Sequence, residues 1–228
     1  MVGRMAKKYD TSIVKRAICT VTPITGNLDA RYLLQVELHT PAQSEFEKTL
    51  TYVMMNPSAA EELTLQKNIS DETVNKVIAF AHDHQKVMKV GKVNIVNLFG
   101  IYEPQSKSLQ KSLNQIQNKA QYMSLLRANR AKVEDAIIES DYIVLGWGNV
   151  PAGMAADTHN LEVAEVYRAM NKHSKLDQAY VIKSAAPHHR NNVLTVKKRP
   201  RHPGRMPLAA YIKCKELSLN GTFLKISV

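Results

Sequence analysis

Four short polar segments interrupt apolar stretches of this chain, and together they make a candidate site rich in amides, with one histidine and basic residues and few carboxylates. Asn56-Pro57-Ser58 ends the run Leu50–Met55, Asn97-Leu98-Phe99 ends another, and Trp147-Gly148-Asn149 ends a third. The fourth, Pro200-Arg201-His202-Pro203, lies in a basic stretch. An Asn amide cannot take a proton, so such a group works by orientation. His202 lies in the basic loop that is expected to meet these strand ends on one rim. Asn56 and His202 are the candidate catalytic pair. Pro57, Ser58, Asp71, Asn97, Phe99, Trp147 and Gly148 are the candidate substrate contacts. Each also has an ordinary structural role. Asn56 before Pro57 shapes a turn, Asp71 can cap a helix, Trp147 can fill a core, and His202 can sit in a solvated loop.

Other chemistries find little support. There is no G-x-x-x-x-G-K-[ST] loop and no G-x-G-x-x-G after a strand. Gly146-Trp147-Gly148 has the wrong spacing for a dinucleotide fingerprint. No H-E-x-x-H or G-x-S-x-G occurs. His82-Asp83-His84 falls in a predicted helix, where i and i+2 face apart, and His188-His189 is equally weak as a metal site. No acidic residue stands two positions before a lysine, as a common metal-dependent nuclease pattern requires. The expectation is a site without metal or cofactor.

Charge names the kind of partner. The 228 residues carry 31 Lys and Arg against 20 Asp and Glu, for a net +11. From Ala179 to Lys215 there is no acidic residue, and nine basic ones supply most of that excess. Such concentration points to a polyanion, nucleic acid first and DNA ahead of RNA, or to a nucleotide. Arg190, Lys197, Lys198, Arg199, Arg201 and Arg205 are the candidate phosphate contacts, arginine through its forked donors. A solvated basic segment kept for solubility is the plain alternative.

The elements that must hold these residues follow from periodicity. Residues 12–39 read as an antiparallel hairpin, two β-rich runs around Thr25-Gly26-Asn27. Residues 49–55, 93–99, 141–147 and 178–183 are nearly continuous apolar runs, as in strands covered on both faces. Between them, helices are predicted from Ser70 or Asp71 to Val87 with Gly91 as the break, over 119–139, and from a cap at Asp157 or Thr158 to about Asn171. Residues 104–117 carry no clear pattern, and 221–228 can add a last strand. The expected fold is one α/β domain over 1–228. It has three α/β/α layers, a mostly parallel central sheet, the N-terminal hairpin and a basic loop over 183–206. Ligands of such sheets bind at the carboxyl ends of the strands, which is where the polar segments fall. Two cysteines, no membrane-length apolar run and no secretory h-region favour a cytoplasmic protein without membrane contact.

The ordered set Arg31-Tyr32-Leu33-Leu34, Met54-Met55-Asn56-Pro57-Ser58-Ala59, Asp71 with Thr73, Phe80-Ala81, Val96-Asn97-Leu98-Phe99, Trp147-Gly148 and Pro200-Arg201-His202-Pro203 resembles a small domain family of unknown function from bacteria and their phages, over about 31–208. The order of an apolar strand ending in Asn-Pro, a strand ending in Asn, a strand ending near Gly and a His-Pro loop is also similar to the uracil-DNA glycosylase superfamily. That second resemblance implies a glycosylase-like fold in which Asn56 orients the hydrolytic water, Asn97 contacts a flipped base and His202 faces the departing base. The sequence departs from that superfamily at Met54, Met55 and Ser58, where glycine usually stands nearby, and at Gly204, where serine usually follows His-Pro.

The leading expectation is an N-glycosylase-like hydrolase acting on nucleic acid or nucleotides. A non-catalytic DNA- or RNA-binding module, such as a modified-base reader or phage accessory factor, needs only the basic segment. An enzyme processing small nucleotides would use the arginines for phosphate and Asn97 for the base.

Overall fold

The structure, a computed structural model, describes residues 7–25, 28–41, 45–57, 60–64, 66–103, 105–189 and 193–228. Seven strands form one sheet: β1 (Val14–Thr25), β2 (Leu28–Leu38), β3 (Lys48–Met54), β4 (Val90–Asn97), β5 (Tyr142–Leu145), β6 (Ala179–Ser184) and β7 (Leu208–Lys213). Their spatial order is β1-β2-β4-β3-β5-β6-β7. The middle four strands, β4, β3, β5 and β6, run parallel. The flanking strands β2, β1 and β7 pair antiparallel, so the sheet is mixed, with parallel pairing confined to its centre. A separate hairpin, β8 (Glu216–Asn220) with β9 (Phe223–Ser227), accounts for the last expected strand.

Five helices cover the sheet: α1 (Glu72–Asp83), α2 (Gln85–Met88), α3 (Leu109–Asn114), α4 (Lys119–Glu139) and α5 (Ala156–Lys172). Strand alternation sorts the core into two halves. Leu50, Tyr52, Val93 and Ile95 pack with Val74, Val77, Ile78 and Ala81 of α1. Val53, Val96, Ile143 and Leu145 pack with Val133, Ile137, Val163 and Val166 of α4 and α5. Each fully buried side chain of this size contributes roughly 1.5–3 kcal/mol, so the two apolar helix faces hold the layers together.

Three predicted boundaries shift, each for a local reason. The helix after Asp71 does not run to Val87: α1 ends at Asp83, His84 separates it from α2, and Val87 is 86% exposed. Lys89, in the left-handed region at φ 57°, ends α2. Gly91 is therefore a strand residue, and a Cβ there would collide with the Phe46 carbonyl oxygen. At α5 neither Asp157 nor Thr158 is the cap. Ala155 takes that place without a side-chain bond, and Asp157 lies in the first turn, where its charge suits the helix dipole. The patternless stretch 104–117 contains α3. The turn residues Gly26 and Asn27 lie outside the described residues.

Candidate functional site

The rim at the carboxyl ends of β3, β4 and β5 is knit together beyond the strands themselves. Leu98 N–H donates to Met54 O at 2.8 Å, Phe99 N–H to Met55 O at 3.0 Å, and Gly146 N–H to Val53 O at 2.9 Å. These bonds place Asn56 between the end of β4 on one side and the Gly146–Gly148 segment on the other, about 4.8 Å per strand step.

The 200–206 segment is laid across this rim. A Cβ on Gly148 would meet His202 Cβ at 3.1 Å, and one on Gly146 would meet Pro203 Cδ at 3.2 Å. Gly148 also has φ +81°, a conformation open to glycine at little cost. On its other side the segment touches the start of α1, since a Cβ on Gly204 would collide with Thr73 Oγ1. His202 thus lies between the end of β5 and the N-terminus of α1.

Both candidate catalytic side chains are held by one end. Asn56 Nδ2 donates to the carbonyl oxygens of Glu103 and Pro57, the latter at 3.3 Å. Because both partners are acceptors, the amide can face only one way, and its Oδ1 has no hydrogen-bond partner among the described residues. His202 Nδ1 accepts from Gly204 N–H at 3.2 Å, which puts the proton of the neutral ring on Nε2. Burial, then the nearby Arg205 guanidinium, push the His202 pKa down to about 4, with Asp71 opposing. The ring is therefore a neutral donor at pH 7.

Asn97 ends β4 opposite Met54. It is fully buried, and neither its Nδ2 nor its Oδ1 has a hydrogen-bond partner among the described residues. Each orphaned polar group of this kind costs about 1–3 kcal/mol. Phe99 and Trp147 are also interior, at 0% and 2% exposure, inside the α4–α5 half of the core. Neither ring is open to the surface, though Trp147 Nε1–H is buried without a hydrogen-bond partner among the described residues. Pro57 is buried. Ser58 lies outside the described residues.

Asp71 is occupied. One carboxylate oxygen accepts from Val74 N–H at 2.9 Å and caps α1, while the other accepts from Ala60 N–H at 3.2 Å. It also faces Arg31, a residue sequence reading left among the motif positions without a role. Arg31 is 1% exposed, donates to Ala60 O, and carries Tyr102 with its guanidinium carbon 6.0 Å from the ring centre. Desolvation lowers the Arg31 pKa and the Asp71 charge offsets part of that. The sequence carried no clear signal for this, because β2 (LDARYLLQVEL) alternates polar and apolar residues and an arginine there reads as outward-facing; once buried, its charge has to be paired.

The basic residues divide. Arg199 is turned inward at 8% exposure, with Nη1 3.2 Å from His159 Nδ1, Nη2 donating to Asn160 Oδ1 at 2.7 Å, and its guanidinium 5.4 Å over Phe223. It fastens the basic loop to α5 and β9. Burial, then the Arg199 charge, push the His159 pKa down to about 4. Arg205 is exposed and donates to Ser106 Oγ at 3.1 Å. Arg201 is half-buried. Lys197 and Lys198 are exposed and have no ion-pair partner among the described residues. Arg190 lies outside the described residues.

A cavity of about 230 Å³ lies elsewhere, between α4 and α5, and Asn97 borders it. Its charged walls are already paired: Arg130 with Glu162, Lys172 with Glu134, and Arg168 with Glu165. Among the described residues no cluster of three or more His, Cys, Asp or Glu could hold a metal, and no helix is long and apolar enough to cross a membrane.

A mixed seven-stranded α/β sheet, with polar strand ends and a His-bearing loop across its rim, defines the class of this molecule. The chain belongs to the family described as protein of unknown function (DUF1643), whose model matches residues 31–203. That match runs from Arg31, inside β2, to Pro203, and so takes in the polar strand ends and His202. No curated protein and no solved structure matches the chain.

Proposed function

We propose that this protein is an N-glycosylase-like hydrolase of nucleic acid or nucleotides, built on a uracil-DNA-glycosylase-like core. The observation that carries the reading is the pairing of an immobilised acceptor with an immobilised donor along one rim. Asn56 Oδ1 is left open by the Glu103 bond, and His202 Nε2–H is left open by the Gly204 bond.

These two groups match the demands of the reaction. Cleaving an N-glycosidic bond passes through a sugar of oxocarbenium character. A water held by Asn56 Oδ1 adds to the anomeric carbon, while the bond to the base breaks and its electron pair leaves with the base nitrogen. His202 Nε2–H donates to the base oxygen on which that charge collects. The proton lost by the water passes through solvent, and the base is released neutral. A neutral imidazole serves here because the task is hydrogen bonding to a developing anion. Asn97, buried with both ends of its amide unpaired, is suited to reading a base edge. The base must leave its stack to reach it.

The test is release of free base from duplex and single-stranded oligonucleotides carrying deaminated or alkylated bases. Wild-type protein should release base. Asn56→Ala and His202→Asn should lower the rate by about 10²-fold or more while remaining folded. A folded protein that binds such DNA yet releases no base across the panel overturns the catalytic assignment.

A non-catalytic nucleic-acid module is the second reading, favoured by Lys197 and Lys198, which are exposed and have no ion-pair partner among the described residues. It requires binding that falls steeply with salt and is indifferent to Asn56→Ala.

A further inference from the structure

The sheet has two edges, and the chain treats them differently. β1 is guarded in the ways edge strands ordinarily are. It carries Pro23, the exposed Lys15 and Arg16, and three register shifts against β2. Leu63 also bridges Ala17, its N–H donating to Ala17 O at 3.0 Å.

β7, at the other edge, pairs with β6 alone. Its regular stretch, residues 210–213, holds a single charge, Lys213. Cys214 N–H donates to Ala179 O at 2.9 Å. By antiparallel alternation Ile212 and Ala210 then bond toward β6, and Tyr211 and Lys213 turn their N–H and C=O groups outward. None of these outward groups has a backbone partner among the described residues. Lys213 is exposed and has no ion-pair partner among the described residues. It lies at the end of β7, beside the start of β6 and away from the rim of Asn56 and His202.

We propose that β7 is the interface of a two-fold symmetric dimer, in which the β7 strands of two copies pair antiparallel across their open edges and join the two sheets into one. Pairing centred on Ile212 sets Tyr211 of each copy opposite Lys213 of the other. Both are outward residues, so every open backbone group of the two stretches finds a partner. The side chains agree with that register. Tyr211 packs in the α1 half of the core, and Lys213 stands on the same face, opposite Tyr180, whose ring is 5.8 Å from that of Tyr142. Each lysine therefore arrives across from a tyrosine, where its stem covers the ring and its ammonium stays in water. The two Lys213 are diagonal neighbours about 7–8 Å apart, a separation at which solvent and salt leave little repulsion. An acidic peptide would find one lysine on this strand, whereas a second β7 answers each open group in register. The interface leaves the rim open and does not depend on the proposed reaction.

The experiment uses the full chain. Sedimentation velocity over a concentration series should reveal a species of twice the 25.6 kDa chain mass. Lys213→Pro removes one outward N–H from each copy, and proline is tolerated there because that N–H bonds nothing within the chain. It should weaken the dimer by about tenfold or more with an unchanged circular dichroism spectrum. Ile212→Cys should cross-link on mild oxidation, since Ile212 meets its own copy at the two-fold axis in a non-hydrogen-bonded pair, with Cα atoms about 4.5 Å apart. Lys213→Cys should not cross-link, and wild type, with Cys19 and Cys214, sets the background. If Lys213→Pro fails to fold, the cross-link decides alone. A monomer at every concentration, a dimer unchanged by Lys213→Pro, or a dimer that Ile212→Cys does not cross-link overturns the interface. A monomer that captures a labelled peptide of alternating Glu and Val, and loses it in Lys213→Pro, overturns the dimer in favour of an acidic strand partner.

Discussion

The protonation of His202 can be tested by stability. The folded pKa is held at about 4, against 6.5 for a free imidazole. A depressed histidine binds fewer protons folded than unfolded, so stability is full above pH 6.5 and is lost as pH falls toward 4. At pH 5.0 these two values imply a loss of about 2 kcal/mol from this ring, from RT times the logarithm of the ratio of the two binding polynomials. His159, shifted to the same value, adds about 2 kcal/mol in the same window. The perturbation is His202→Asn, whose side-chain oxygen can replace Nδ1 as acceptor from Gly204 N–H while removing the titration. Urea unfolding at pH 7.5 and 5.0 is the assay. Between these pH values wild type should lose about 2 kcal/mol more than His202→Asn, a difference of roughly 1 M in midpoint at a slope near 2 kcal/mol per M. Ring-proton NMR gives the second reading, with His202 unprotonated down to pH 5. A titration midpoint near 6.5, or equal pH dependence in both proteins, refutes the neutral-donor assignment and with it the proposed role of His202.

Three further outcomes follow from particular contacts. Lys198→Gly should stabilise the fold by about 1 kcal/mol by relieving the left-handed backbone, and should reduce the salt slope of duplex binding by about 0.9, read by urea unfolding and by anisotropy. Arg130→Ala should cost about 3–5 kcal/mol, since it strands the Glu162 carboxylate, 3% exposed and bonded to Arg130 at 2.9 and 2.7 Å; Glu162→Gln with Arg130 intact should cost less. Gly91→Ala should cost 2 kcal/mol or more by driving Cβ into the Phe46 carbonyl, visible as a fall of about 4 °C or more in Tm.

Much of the architecture was legible because it depends on pattern alone. Continuous apolar runs such as 50–55 and 141–147 can be satisfied only between two covering layers, so they announce central strands. The 3.6-residue spacing of Val74, Val77, Ile78 and Ala81, with Asp71 before them, announces α1, its cap and the face it buries. Break points were harder. Val87 continued the period on paper, but the chain had already left α1 at His84. Gly91 looked like a breaker, yet what requires glycine there is a carbonyl 45 positions away in the chain, at Phe46.

For the site, sequence alone determined which residue types stand at strand ends and where positive charge gathers, because both are properties of order along the chain. Tertiary structure decided what each side chain can do, because that depends on partners distant in sequence. Glu103 orients Asn56 from 47 positions away, and Ala60 and Arg31 turn Asp71 into a fastening. His159 and Asn160 draw Arg199 inward, leaving Lys197 and Lys198 as the outward charges. Burial, which no single residue encodes, moved Phe99 and Trp147 into the core and left Val196 in water.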